Sequence, residues 1–189
     1  MKFENIIFES AGPDAEIKVI DFGLSKKFAL GEDDVMKEGV GTLYTMAPQV
    51  LQGVYTSQAD LWSVGVIVYM LLSAHRPFYH MRRKVMVDAI MRASYDLNKP
   101  YWEGISEDAK DMVAKLLVVD PKKRMNATNA LQHAWLSKEF QACHRAPPQS
   151  VAAATVEGLL AYKNTSELKK IALNVSKYSI CVIFCCGVP

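Results

Sequence analysis

Three side chains near the start of the chain could do chemistry together. Lys2 and Asn5 flank Phe3 and Glu4, and 16 residues beyond Asn5 stands Asp21, followed by Phe22 and Gly23. A carboxylate and an amide supply hard oxygen donors suited to a small divalent cation, and an ammonium neutralises anionic oxygen. Taken singly, each has an ordinary reading. Asp-Phe-Gly composition favours a turn, a lysine near a terminus is normally solvated, and an asparagine before a strand normally bonds locally. Other patterns fail on their residues. An EF-hand loop starting at Asp34 would put Gly39 at its sixth position, but Met36 and Thr45 would then occupy ligand positions. Gly39-Val40-Gly41 lacks the third glycine of a phosphate-cradling loop.

Those residues need elements to hold them. Asn5 to Phe8 and Ile17 to Ile20 are short β-prone runs on either side of the turn-rich Glu9 to Asp14, which predicts a hairpin. Residues 24 to 46 carry glycines and charges without a sustained period, and predict a long loop. Ser57-Gln58-Ala59-Asp60 has capping-box character ahead of the apolar run Leu61 to Ala74, predicting a core helix from about residue 58. After the His75-Arg76-Pro77 breaker, helical patterns cover about 82 to 93, 106 to 118 (beginning at Ser106-Glu107-Asp108) and 127 to 136. The fold class expected is α+β, mainly α: a small hairpin followed by a helical bundle over residues 1–140.

Beyond that unit, residues 141–155 with Pro147-Pro148 read as a linker. Leu168, Ile171, Ala172 and Val175 form a stripe with Lys169, Lys170 and Lys177 off it, so 156–177 reads as a basic amphipathic helix. Residues 178–189 form an unassigned apolar tail. Its closing Cys186-Gly187-Val188-Pro189 has prenylation spacing but ends on an unsuitable proline.

Composition bounds the function classes. The 189 residues are 50% hydrophobic and 22% charged, which excludes a wholly disordered chain. With 22 basic against 20 acidic side chains and a net charge of +2, the balance argues against a strongly basic face, though local patches remain open, so no nucleic-acid partner is expected. Leu61 to Ala74 spans 14 residues, short of the roughly 20 needed to cross a bilayer, so no transmembrane segment is expected. Cys143, Cys181, Cys185 and Cys186 come late, with no apolar leader before them, predicting a reducing, cytoplasmic setting.

The motifs in order resemble a protein kinase. Lys2-Phe3-Glu4-Asn5 resembles the end of the catalytic loop, and Asp21-Phe22-Gly23 the metal-binding motif. Ala47-Pro48-Gln49 resembles the close of the activation segment, Asp60-Leu61-Trp62-Ser63-Val64-Gly65 the central helix, and Asp120-Pro121-x-x-Arg124 the late arginine motif. The resemblance implies the larger, C-terminal lobe of a kinase using ATP and Mg2+. Asp21 and Asn5 would hold the magnesium ions that bridge the ATP phosphates, and Lys2 would neutralise the transferring phosphoryl group. Lys2 and Thr42 resemble the serine/threonine class, in which both lie by the catalytic aspartate and the substrate hydroxyl. Glu4 matches an acidic position that recognises basic residues near the acceptor of a protein substrate. Gly23, Gln49, Asp60 and Arg124 would be structural.

Residues 165–175 are similar to the junction segment of calcium-dependent protein kinases, which occupies the kinase cleft until a calmodulin-like domain draws it away. A calmodulin-like partner for 156–177 is therefore expected.

Departures from the pattern carry expectations too. The glycine-rich loop, the strand lysine with its helix glutamate, and the catalytic aspartate two residues before Lys2 are not in these 189 residues. The chain is expected to be a portion of a kinase, inactive alone; the alternatives are a non-catalytic fragment binding calmodulin-like partners and a degenerate product with no role. Gln49 replaces the glutamate that pairs with the arginine matched by Arg124, turning an ion pair into an amide contact. Between Ser25 and Thr42 there is no Ser, Thr or Tyr, only Glu32, Asp33, Asp34 and Glu38, so fixed carboxylates would stand in for a phosphate.

Overall fold

The computed structural model describes residues 1–10, 16–25, 36–37 and 41–137. The linker, the amphipathic helix, the tail and the acidic cluster Glu32, Asp33, Asp34 and Glu38 lie outside the described residues.

A turn of 3-10 helix over Phe3–Asn5 leads into strand β1, Ile6–Phe8, which pairs antiparallel with β2, Ile17–Val19. The register sets Ile6 opposite Val19 and Phe8 opposite Ile17. Alternation buries Ile6 and Ile17 while turning Ile7 and Lys18 to solvent. With Phe3, the buried pair packs on Ile67 and Leu71 of the central helix, so the hairpin expected from the sequence rides on that helix.

The central helix, α2, spans Gln58–Ser73 and follows the short α1, Pro48–Gln52. Most of α2 is buried, including Trp62, Val66, Ile67, Val68 and Tyr69, because the hairpin covers one side and α4, Glu107–Leu116, another. The capping box expected at Ser57 is absent. Ser57 already has helical angles (φ −53°, ψ −25°), whereas a side-chain cap needs an extended backbone, and its hydroxyl makes no cap bond. Asp60 instead takes a hydrogen bond on Oδ1 from the Met1 amine at 2.8 Å. Around α2, Trp62 stacks on Phe78 with ring centroids 5.5 Å apart, and Tyr69 meets Trp102 edge-on at 4.8 Å.

Helix α3, Arg83–Met91, is somewhat shorter than its sequence pattern. Helix α4 begins as expected: Ser106 is extended, and its hydroxyl accepts from the Ala109 N–H. Helix α5, Ala127–Leu131, ends well before residue 136, the limit expected from the sequence. The Trp135 N–H donates to His133 Nδ1 at 3.3 Å rather than back into the helix, and helical structure resumes only at residues 134–137. Among the described residues no helix is long and apolar enough to cross a membrane.

Gly65 lies against the C-terminal end of α4. A Cβ there would lie 2.8 Å from Leu116 Cβ and 3.0 Å from Leu117 Cδ2, closer than real Cβ atoms stand. Gly65→Ala gains about 1 kcal/mol of helix propensity and loses about 1–3 kcal/mol to overpacking, so a net loss of stability is expected. Gly65→Val should lose clearly more; urea midpoints that rise for either variant would contradict this packing account.

Next to that contact, the buried His133 donates from Nε2 to Asp111 Oδ2 at 2.9 Å, its tautomer set by Nδ1 accepting from Trp135. Lys115 also reaches Asp111 Oδ2, at 2.6 Å. The Lys115 hydrogen bond, helped by His133, holds the Asp111 carboxyl below the ordinary carboxylate range. A lowered folded-state pKa means that this contribution is complete above the unfolded carboxylate pKa and disappears as pH falls through the folded one. Asp111 is half exposed, so the contribution belongs with surface ion pairs, within about 1 kcal/mol. Asp111→Asn should therefore cost stability at about pH 6 and progressively less as pH falls through the lowered pKa of the folded carboxyl, a trend that denaturation curves over a pH series read directly.

Candidate active site

The hairpin register builds the site. Because Ile6 faces Val19, the next residues outward, Asn5 and Ile20, meet at the open end, and the Ile20 N–H donates to the Asn5 carbonyl at 2.8 Å. The chain then turns at Asp21, whose φ of 65° is left-handed, a conformation that aspartate tolerates better than most residues. That turn sends the carboxylate back toward Asn5. Asn5 Nδ2 donates to Asp21 Oδ2 at 3.4 Å, and Lys2 Nζ stands 3.8 Å from the same oxygen. Lys2 is in range because the Asn5 N–H closes a 3-10 turn on the Lys2 carbonyl at 3.2 Å. Lys2 and Asn5 thus converge on one oxygen of Asp21 at the strand ends.

The other expected residues fall into two groups. Gly23 sits beside Asp21, where an added Cβ would lie an ordinary 3.5 Å from Asp21 Oδ1. Glu4 is exposed at the rim, but both of its carboxylate oxygens accept from the Tyr44 hydroxyl, at 3.1 and 3.0 Å. Thr42 precedes a 3-10 turn over Leu43–Thr45, and its carbonyl accepts from the Thr45 N–H and hydroxyl. Among the described residues, the Thr42 hydroxyl is not bonded to Lys2. The turn is fixed to α2 by the Ser63 hydroxyl donating to the Thr45 carbonyl at 2.9 Å.

Arg124 and Gln49 lie apart from the site and tie together the segments that frame it. Arg124 is 3% exposed. Its guanidinium donates to the carbonyls of Val118, Gln58 and Val119 at 2.9, 2.6 and 3.2 Å, and to Gln49 Oε1 at 3.2 Å. Gln49 Nε2 in turn donates to the Val119 carbonyl at 3.2 Å. Burial lowers the Arg124 pKa to about 10, with Asp120 opposing the shift, so the group is charged at neutral pH. Its charge also lies over the Trp62 ring, 5.2 Å from the centroid.

Sequence reasoning missed Tyr44. It joins Glu4 to Arg76, whose guanidinium carbon stands 4.7 Å from the Tyr44 ring centroid. A lone tyrosine in an aperiodic loop carries no spacing that could have flagged it.

What the arrangement offers is one carboxylate, one amide and one ammonium at the open end of a hairpin. Among the described residues no group of three or more His, Cys, Asp or Glu side chains forms a self-sufficient metal cage. Such a sparse oxygen donor set suits a hard divalent ion that keeps waters and takes its remaining ligands from phosphate oxygens.

Comparison with known proteins shows the family. The protein kinase domain family matches residues 1–136. Calcium-dependent protein kinase 12 of Oryza sativa subsp. japonica is 41% identical over 175 residues, 93% of this chain and 32% of the relative. Calcium-dependent protein kinase 1 of Arabidopsis thaliana is 39% identical over 180 residues, 95% of this chain and 28% of the relative. Myosin light chain kinase A of Dictyostelium discoideum is 45% identical over 137 residues, 72% of this chain and 46% of the relative. The chain thus spans about a third of the length of the plant relatives and under half of the Dictyostelium one. The family match covers residues 1–136 of the 189, most of the chain: the chain belongs to the protein kinase family.

Proposed function

We propose that this chain is the larger-lobe portion of a serine/threonine protein kinase of the calcium-dependent type, transferring the γ-phosphoryl group of ATP to a Ser or Thr hydroxyl. The observation that carries the reading is the convergence of Lys2 and Asn5 on Asp21 Oδ2. Asp21 and Asn5 would hold Mg2+, which when bound supplies charge neutralisation and orientation for the ATP phosphates. Lys2 holds its ammonium where negative charge on the transferring group would be neutralised. Asn5 orients Asp21 through its amide hydrogen, leaving the amide oxygen for a cation. Thr42 would position the acceptor hydroxyl beside Lys2, and Glu4, at the rim, would attract a basic residue of the substrate.

The base that takes the hydroxyl proton would come from the aspartate of the family motif, two residues before Lys2. It and the glycine-rich loop are not among the 189 residues, and turnover by these residues alone is expected to be negligible. The calcium-dependent relatives align over 175–180 residues, well past the family match that ends at residue 136. That extent supports residues 156–177 as a regulatory segment for a calmodulin-like partner.

The test is phosphorylation by the full-length protein of one basic peptide offered with Ser, Thr or Tyr at the acceptor, with and without Mg2+ and with and without calcium. Transfer to Ser or Thr that needs Mg2+ and rises with calcium is expected. Preference for Tyr, or transfer indifferent to Mg2+, would overturn the reading.

A further inference from the structure

Away from the cluster, residues 79–85 form an exposed run: Tyr79, His80, Met81, Arg82, Arg83, Lys84 and Val85. Its charge and its apolar surface are both uncompensated. Arg82, Arg83 and Lys84 make no ion pair among the described residues, and the first turn of α3 holds no acidic residue and no side-chain cap. The one carboxylate of α3, Asp88, lies further along the helix. Met81 is 93% exposed, the most of any large apolar side chain among the described residues, and Tyr79 67%, beside Val85 at 41%. Isolated exposed hydrophobics are ordinary, but an apolar strip bordered by unpaired cations in one short segment is the composition of a recognition surface.

This surface is physically joined to the site. The Tyr79 ring lies under the guanidinium of Arg76, 5.6 Å from its carbon, and the same guanidinium covers the Tyr44 ring. Tyr44 bonds Glu4, one residue from Asn5. A chain of contacts therefore links exposed Glu4, beside Asn5, through the buried Tyr44 ring and Arg76 to exposed Tyr79, next to the Arg82–Lys84 cations. A peptide long enough to reach from Glu4 to Lys84 would meet an acid at one end and three cations with a methionine at the other.

We propose that residues 79–85 dock an acidic protein segment carrying an apolar residue, as a distal part of the polypeptide whose acceptor lies at the Asp21 cluster. The inference builds on the kinase reading for its substrate, but docking by itself requires no phosphoryl transfer. A net charge of only +2 and three clustered cations fit a short acidic peptide better than a nucleic-acid backbone or an anionic bilayer, either of which needs a wider basic face.

The experiment is fluorescence anisotropy with the full 189-residue chain and a labelled Glu-Glu-Leu-Asp-Glu-Glu peptide, against its Gln-Gln-Leu-Asn-Gln-Gln counterpart. Binding of the acidic peptide alone is expected, weakening with added salt. The triple reversal Arg82→Glu, Arg83→Glu, Lys84→Glu should lower that affinity by about tenfold or more and create binding to a Lys-Lys-Leu-Lys-Lys-Lys peptide, which an unfolded variant would not do. Met81→Ser should weaken the acidic peptide by a further factor of roughly three. Equal binding of the acidic and amide peptides, no response to the triple reversal, or tighter capture by phosphatidylserine vesicles or duplex RNA would each overturn the proposal. Because no turnover is read, a failed docking result and a failed phosphorylation assay remain distinguishable.

Discussion

Arg124→Met will lower the stability of the folded chain by about 3–5 kcal/mol. The substitution keeps much of the side-chain volume over Trp62, so little of the loss comes from packing. It comes from acceptors. The Val118 carbonyl and the Oε1 of Gln49 lose their donor inside the protein, while the Gln58 carbonyl keeps its bond within α2, and an unsatisfied buried polar group costs about 1–3 kcal/mol. Relief of the desolvated guanidinium offsets part of that sum, and the Val119 carbonyl keeps its bond from Gln49. The companion variant Gln49→Glu sets a carboxylate opposite Nη2 and should stabilise by about 1–2 kcal/mol, since a charge-assisted bond is roughly twice as strong as a neutral one. Its lost donation to Val119 is covered by Arg124, which already bonds that carbonyl. Urea denaturation of the two single variants and the double variant isolates their coupling. A neutral Arg124→Met would show that the buried network contributes specificity rather than stability.

The second large effect concerns activity. Asp21→Asn should reduce phosphoryl transfer by the full-length protein by about 10²–10³-fold while leaving stability nearly unchanged. The stability half of that expectation comes from the φ of 65°: asparagine shares the left-handed tolerance of aspartate, and its amide oxygen can still accept from Asn5 Nδ2. What is lost is the charge that holds Lys2 and would hold the cation. Asp21→Val separates the two roles, because a β-branched residue at that φ adds about 1–2 kcal/mol of strain to the same loss of chemistry. Thermal melts of the chain and transfer assays of the full-length protein measure the two halves independently. An Asp21→Asn protein that keeps its rate would remove Asp21 from the reaction.

The hairpin and the helical bundle were legible because their signals are local: alternation in β1 and β2, and the apolar run and helical periods in α2 and α4. The two helix starts read at serines show the limit of that reading. Ser57 and Ser106 look alike in sequence, yet only Ser106 is extended and bonds its helix, because backbone angles before a helix depend on what the preceding turn must reach. The early end of α5 was hidden for a related reason. It turns on the His133 ring taking the Trp135 amide, and that ring is held by Asp111 on another helix. In the site, Lys2, Asn5 and Asp21 were named through the resemblance of their motifs to a protein kinase, and the hairpin brings the three together. Tyr44 was not, because its contacts with Glu4 and Arg76 join segments far apart along the chain.

Helix α2 has almost no face of its own to show to water, and that bears on how the chain is made. During synthesis its apolar run leaves the ribosome ~34 residues ahead of the start of α4, an interval of a few seconds at roughly 5–20 residues/s. For that time the flank that Leu116 and Leu117 will close around Gly65 is bare, although the hairpin and the Leu43–Thr45 turn that also pack on α2 have already been made. A chaperone that holds nascent apolar segments thus has a defined moment to act, which ends when the Ser106-capped helix arrives.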